Sequence, residues 1–466
     1  MNTRIDSSHG LPYIMQLPFP IYSQTSEEDT TPLRLSMPDR LVGAAFACMV
    51  LAVVMLLGHI TGAEVSLEAR RRAWVVGDLL SGHLRGFEGL VGSLGLTPLP
   101  TLLMAGLSLL NLGSTSPLLG SVMAALGAGA LAMYLDAKWA ARGIRRTIRY
   151  VCITCLAFLP PVSESIQAGQ STTIFVALAI IGVGFIIEWV NKGALKHLLY
   201  AGGLLGLALG VRHQALLLVV AGAVVVAFAA VAVGRKISTA EGTTLLFVLP
   251  ACGVILAWMI ANWLVMGNPV FFLKAPFRAL TLGSVDLGYL LTGGCEWLTL
   301  AVVVPVVLSV PVVCGIMDNP VEQTIRDVAA VGGVLLGIIL VFSAGVSAET
   351  SLPEPNVKSV VEQVQERYPT AIVVVMGYRG YEFTQAVSEE SGTHWVHLMH
   401  LDSPSLDRIL EENPGTEVYV LVRGDEHVDR WHYVGLEWRE LHSRVPERFI
   451  FARQVGSWVL FECVRI

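Results

Sequence analysis

The feature that most restricts this chain is the recurrence of apolar runs near twenty residues long, beginning with LVGAAFACMVLAVVMLLGHI at 41–60. A run of that length, helical at 1.5 Å per residue, matches the thickness of a bilayer's hydrocarbon core. Further runs fall at 117–136, 148–161, 172–190, 196–211, 214–233, 243–266, 296–316 and 328–347. Composition agrees, with 54% hydrophobic and 15% charged residues, where about 25% charged is usual for soluble domains. The pattern predicts a polytopic α-helical membrane protein of about nine spans. The first run follows a polar stretch and lacks a small-residue cleavage site, so it reads as a retained span.

Residues 1–38 are polar and rich in Ser, Thr and Pro, which predicts a loosely ordered tail. The transmembrane region then occupies 39–347. Lys138, Arg142, Arg145, Arg146 and Arg149 crowd one connecting loop, and Lys192, Lys196, Arg235 and Lys236 mark two more. The positive-inside rule puts these turns and the N-terminus in the cytoplasm of a plasma (inner) membrane protein. The opposite side then receives the loop at 61–116, the loop at 161–171, the turn at 212–214, the loop at 267–295 and the C-terminus. A short apolar stretch, PLPTLLMAGLSLLNL at 98–112, reads as a juxtamembrane or re-entrant helix within the first external loop.

Beyond a linker at 348–356 the pattern changes. AIVVVMGY, THWVHLMH, TEVYVLVR, RFIFARQ and WVLFECVRI read as strands, and VKSVVEQVQERY, YEFTQAVSEESG and LDRILEEN as helices. The alternation predicts a small extracytoplasmic α/β domain over 357–466 with a partly parallel sheet. It carries no G-x-G-x-x-G, Walker or G-x-S-x-G motif. His394, His397 and His400 alternate poorly for one metal site, and no metal is assigned. Cys152 and Cys155 form a C-x-x-C inside an apolar run and read as core residues. No basic patch interleaved with aromatics points to nucleic acid.

The first external loop begins LEARRRAWVVGDLLSG at 67–82, followed by FEGLVGSLGLTPLPTLLMA. Then come PPVSESIQAGQSTTIFVAL, GLALGVRHQALLLVV and NWLVMGNPVFFLKAP. The order of these five segments, over roughly 40–280, resembles the GT-C membrane glycosyltransferases related to the dolichyl-phosphate-mannose–protein mannosyltransferases. The resemblance implies a sugar donor linked to polyprenyl phosphate, with a divalent cation left open as cofactor. Counting back from Leu79 and Leu80, the family's loop Asp falls on Glu68, so this chain carries Glu there. The long loop then forms the roof of an active site at the membrane surface.

Glu68 and Glu164 are the candidate catalytic carboxylates, with Asp78 and Glu88 as further candidates. Glu68 could instead pair with Arg71 or Arg72 at i+3 or i+4. Arg70, Arg71, Arg72, Arg212, His213, Lys274 and Arg278 are the candidate contacts to a lipid phosphate. The same arginines would suit anionic headgroups. The alternative to an enzyme is a non-catalytic GT-C-like subunit that docks a larger complex. Expected partners are membrane lipids, the polyprenyl-phosphate sugar and proteins met through the C-terminal domain.

Overall fold

The computed structural model describes residues 37–273, with breaks at 93–95, 111–115, 117, 214 and 233–236. It also describes residues 357–464, with breaks at 378–379, 382, 384–386, 388–392, 401–402, 424–437, 439–440, 443–444 and 456–457. The runs at 296–316 and 328–347, the linker and nearly all of the N-terminal tail lie outside these residues.

The first part is helical: α1 (Met37–Thr61), α2 (Leu67–Leu80), α3 (Leu84–Val91), α4 (Pro98–Leu109), α5 (Leu118–Ala141) and α6 (Arg146–Phe158). Then follow α7 (Pro160–Gln167), α8 (Thr172–Lys192), α9 (Leu195–Val211), α10 (Ala215–Ala232) and α11 (Ile237–Met266). Among the described residues, four segments are long and apolar enough to cross a membrane: Leu41–Thr61, Leu118–Ala141, Thr172–Lys192 and Ala240–Met266. The apolar helices Leu195–Val211 and Ala215–Val231 are shorter. Large apolar side chains remain outside, Phe228 at 72% and Leu264 at 77% exposed. Such surfaces are unfavourable in water and natural against lipid.

The run expected to span at 148–161 divides instead. α6 stops at Phe158 because Leu159 precedes Pro160 and takes an extended conformation (ψ 129°), and α7 restarts with prolines in its first turn. Close packing in the bundle depends on small residues. A Cβ on Gly202 of α9 would lie 2.0 Å from the Phe247 carbonyl of α11, and one on Gly206 would lie 3.0 Å from Ala251. Val54, Met123, Ile166, Ile186, Leu198, Leu205 and Phe247 fill the interior.

The C-terminal part holds α12 (Val357–Arg367), β1 (Ile372–Met376), β2 (His394–Leu398), α13 (Ser403–Glu412), β3 (Val418–Arg423), β4 (Phe449–Val455) and β5 (Trp458–Cys463). The strand order is β2-β1-β3-β5-β4. β1 runs parallel to β2 and β3, while β5 is antiparallel to β3 and β4. All five residues of β1 are buried. Val373 and Val375 pack with Val360, Val361 and Val364 of α12, while Ile372, Val374 and Met376 pack with Leu406, Ile409 and Leu410 of α13. Helices on both faces explain why this strand reads as a continuous apolar run rather than an alternating one. The helix expected over YEFTQAVSEESG lies largely outside the described residues.

Candidate functional site

The helix α2 begins where sequence chemistry says it should. Ser66 caps it, its Oγ accepting from the Ala69 N–H at 3.1 Å, and Glu68 sits in the first turn, where the helix dipole favours an acid. The same Ser66 donates its backbone N–H to the Ala168 carbonyl at 2.9 Å, joining α2 to the loop after α7. In that loop Gly169 (φ 72°) leaves no room for a side chain, since its Cβ would stand 2.8 Å from the Ser121 nitrogen of α5.

Arg72 lies one turn beyond Glu68 and is 1% exposed. Its Nε donates to Glu68 Oε1 at 2.9 Å, and Nη2 stands 2.8 Å from the same oxygen. Nη1 donates to the Thr97 carbonyl and to Thr101 Oγ1, both at 2.8 Å, at the start of α4. Thr97 in turn donates its hydroxyl to the Val211 carbonyl at the end of α9. The next residue, Arg212, leaves α9 in an extended conformation and donates from Nη2 to Thr172 Oγ1 at 2.6 Å, at the start of α8. Four helix ends thus meet around one carboxylate.

Burial by itself would raise the Glu68 pKa. The charges of Arg72 and Arg212, with hydrogen bonds from Ser171 and Arg72, outweigh it and hold the carboxyl below its ordinary value. Glu68 is therefore ionised at neutral pH. A fixed anion within reach of two guanidinium groups can accept a hydrogen bond from a hydroxyl, and the half-buried Arg212 can meet an incoming anion.

The other sequence candidates are distributed around this centre. Arg70 and Arg71 are half-buried on α2, Arg212 is half-buried and His213 exposed. Glu164 is exposed on α7, while Glu88 is half-buried on α3. Lys274 and Arg278 lie outside the described residues. Asp78 belongs to a second centre at the far end of α2. It accepts from Arg85 Nε at 2.6 Å and Nη2 at 3.1 Å, and from Tyr381 Oη at 2.6 Å, with His83 Nδ1 at 3.1 Å. Burial raises its pKa, but the bonds from Arg85, Tyr381 and His83 win and lower it.

Among the participants not singled out from sequence are Thr97, Ser171 and Tyr381. Thr97 and Ser171 carried a local signal, each a hydroxyl residue directly before a helix. Tyr381 carried none, since it meets Asp78 from 303 residues away. Among the described residues no group of three His, Cys, Asp or Glu side chains is placed to hold a metal ion. His394 is exposed on β2 and His397 buried, and Cys152 is half-buried on α6 with Cys155 exposed.

No family model matches the chain, and no curated protein matches it. Among solved structures, it is similar to the crystal structure of ArnT from Cupriavidus metallidurans in the apo state. The identity is 10%, the TM-score 0.35, and the match covers 91% of this chain and 97% of that one. A likeness of that size fixes neither a fold nor an activity.

Proposed function

We propose that this chain is a membrane glycosyltransferase of the GT-C type, moving a sugar from a polyprenyl-phosphate donor to a hydroxyl acceptor outside the cytoplasm. The observation that carries the reading is the Glu68 carboxylate held ionised between Arg72 and Arg212, where α2, α4, α8 and α9 meet. The order of the five GT-C-like segments supports it independently.

In this reading the acceptor oxygen attacks the anomeric carbon and the bond from that carbon to the donor's phosphate oxygen breaks. Glu68 accepts the hydrogen bond, then the proton, of the attacking hydroxyl. Arg212 meets the charge that develops on the leaving phosphate. Arg72 is committed to Glu68, Thr97 and Thr101, so it fixes the carboxylate's position. Arg70, Arg71 and His213 would approach the lipid phosphate from around the same end of the bundle. Glu164, exposed on α7, has no step in this scheme. The chain sits in the plasma membrane with its N-terminus in the cytoplasm, and the C-terminal domain shares the active-site side.

The test is binding of a short-chain polyprenyl phosphate to the full chain in nanodiscs, joined to mass spectrometry of lipids and proteins that co-purify. Arg212→Ala should weaken binding at least tenfold, the effect expected of a charged hydrogen bond. No measurable binding by the unaltered chain, with a stoichiometric set of co-purifying proteins, would replace this reading by the non-catalytic docking subunit.

A further inference from the structure

The C-terminal domain grips the helix that carries Glu68, and it does so with the edge that such sheets usually reserve for ligands. β1 lies between β2 and β3, all three parallel. The chain leaves β1 for β2 on one side and then passes from β2 to β3 on the other, and the crevice at the strands' carboxyl ends is where open α/β sheets seat their ligands. Beyond β1 comes Tyr381, and beyond β2 come Met399 and His400. These residues face the first-loop helices. Trp74 of α2 stacks on Tyr381, with ring centroids 5.6 Å apart and planes 23° from parallel. Val75 packs in one buried cluster with Tyr381 and Met399. Tyr381 Oη donates to Asp78 at 2.6 Å. A Cβ on Gly92, just after α3, would stand 2.9 Å from His400 Nε2, so that approach is close as well.

These contacts fall on the second half of α2, and Glu68 and Arg72 occupy the first half of the same 14-residue helix. Such a helix is about 21 Å long and moves as a unit. We infer that Tyr381 is a positioning residue: through Asp78 and Trp74 it sets α2, and with it the Glu68–Arg72 pair, so that the C-terminal domain governs the site's geometry. A carboxylate that must meet a reacting hydroxyl tolerates little displacement, which makes such support consequential. The link to catalysis rests on the function proposed above; the mechanical coupling does not.

Hydrogen exchange on the full chain in nanodiscs tests it. Tyr381→Phe keeps the ring and removes the hydroxyl, and Trp74→Phe weakens the stack from the other side. Each should raise amide exchange over residues 67–73 about tenfold while β1 and β3 keep wild-type protection. A residue that merely stabilised its own domain would raise exchange in β1 and β3 instead, and that pattern overturns the inference. So does exchange confined to 78–85 in both variants. If Tyr381→Phe loosens the sheet, Trp74→Phe decides alone. Polyprenyl-phosphate binding is read on the same samples. Coupled exchange without binding by the unaltered chain keeps the positioning and removes the proposed function. Binding with uncoupled exchange does the reverse.

Discussion

Arg72 places Nη2 2.8 Å from Glu68 Oε1, one helical turn away, with its own side chain 2% and the acid's 10% exposed. A pair this deep is held by mutual dependence, because either charge alone would be stranded away from water. Glu68→Ala should therefore cost roughly 3–5 kcal/mol. Glu68→Gln, which keeps an acceptor for Arg72, should cost less. Combining Glu68→Ala with Arg72→Met should recover part of the loss, because the Thr97 carbonyl and Thr101 hydroxyl then lose their donor. Thermal unfolding of these three variants and of Arg72→Met alone in one detergent checks the ranking, and additive losses would contradict it.

Two neighbouring glycines on α9 should behave in opposite ways. Gly202 has the Phe247 carbonyl 2.0 Å from where a Cβ would stand, whereas Gly203 has nothing within 4 Å. Gly202→Ala should separate α9 from α11 and destabilise by roughly 3 kcal/mol or more. Gly203→Ala should be neutral or gain up to about 1 kcal/mol from helix propensity. Melting temperatures of the paired variants measure the difference.

Asn262 of α11 is fully buried and donates to the Val91 carbonyl at 2.7 Å, beside Trp258 Nε1 at 2.8 Å. The two donors fasten the end of α3 to the bundle. Asn262→Leu should cost about 1–3 kcal/mol and expose residues 84–92 to protease, with Trp258 retaining part of the attachment. Unchanged proteolysis there would show that Trp258 suffices.

Acid should weaken the C-terminal domain through His397. Burial drives its pKa down to about 4, against a supporting hydrogen bond between Nε2 and the Gly377 carbonyl at 2.7 Å. Between pH 6.5 and 4 the unfolded state binds more protons than the folded one, so stability rises with pH in that window. Acidification from pH 7 to 5 should remove about 2 kcal/mol. In His397→Gln this part of the pH slope should vanish, as followed by near-ultraviolet circular dichroism. Asp78, whose pKa is lowered, acts in a different range: its stabilisation is present above its unfolded value of 3.8 and is lost as pH falls through the folded one.

Much of the architecture was legible locally. The apolar runs in the described region form helices, and the five strand segments form one partly parallel sheet. The i, i+4 spacing of Glu68 and Arg72 already allowed their pairing. The run at 148–161 was less legible, because two consecutive prolines divide what hydropathy alone joins.

What the sequence determined by itself is therefore the transfer of apolar segments out of water, the backbone pairing inside each segment, and the ion pair one turn long. Each of these depends on residues close together in the chain. The tertiary structure decided the rest: that Thr97 bonds the end of α9, that the charge of Arg212 acts on Glu68, and that Tyr381 reaches Asp78. Those contacts join segments separated by 114 to 303 residues. They exist only once helix packing has brought the ends of several segments to one place, and no local periodicity encodes that arrangement.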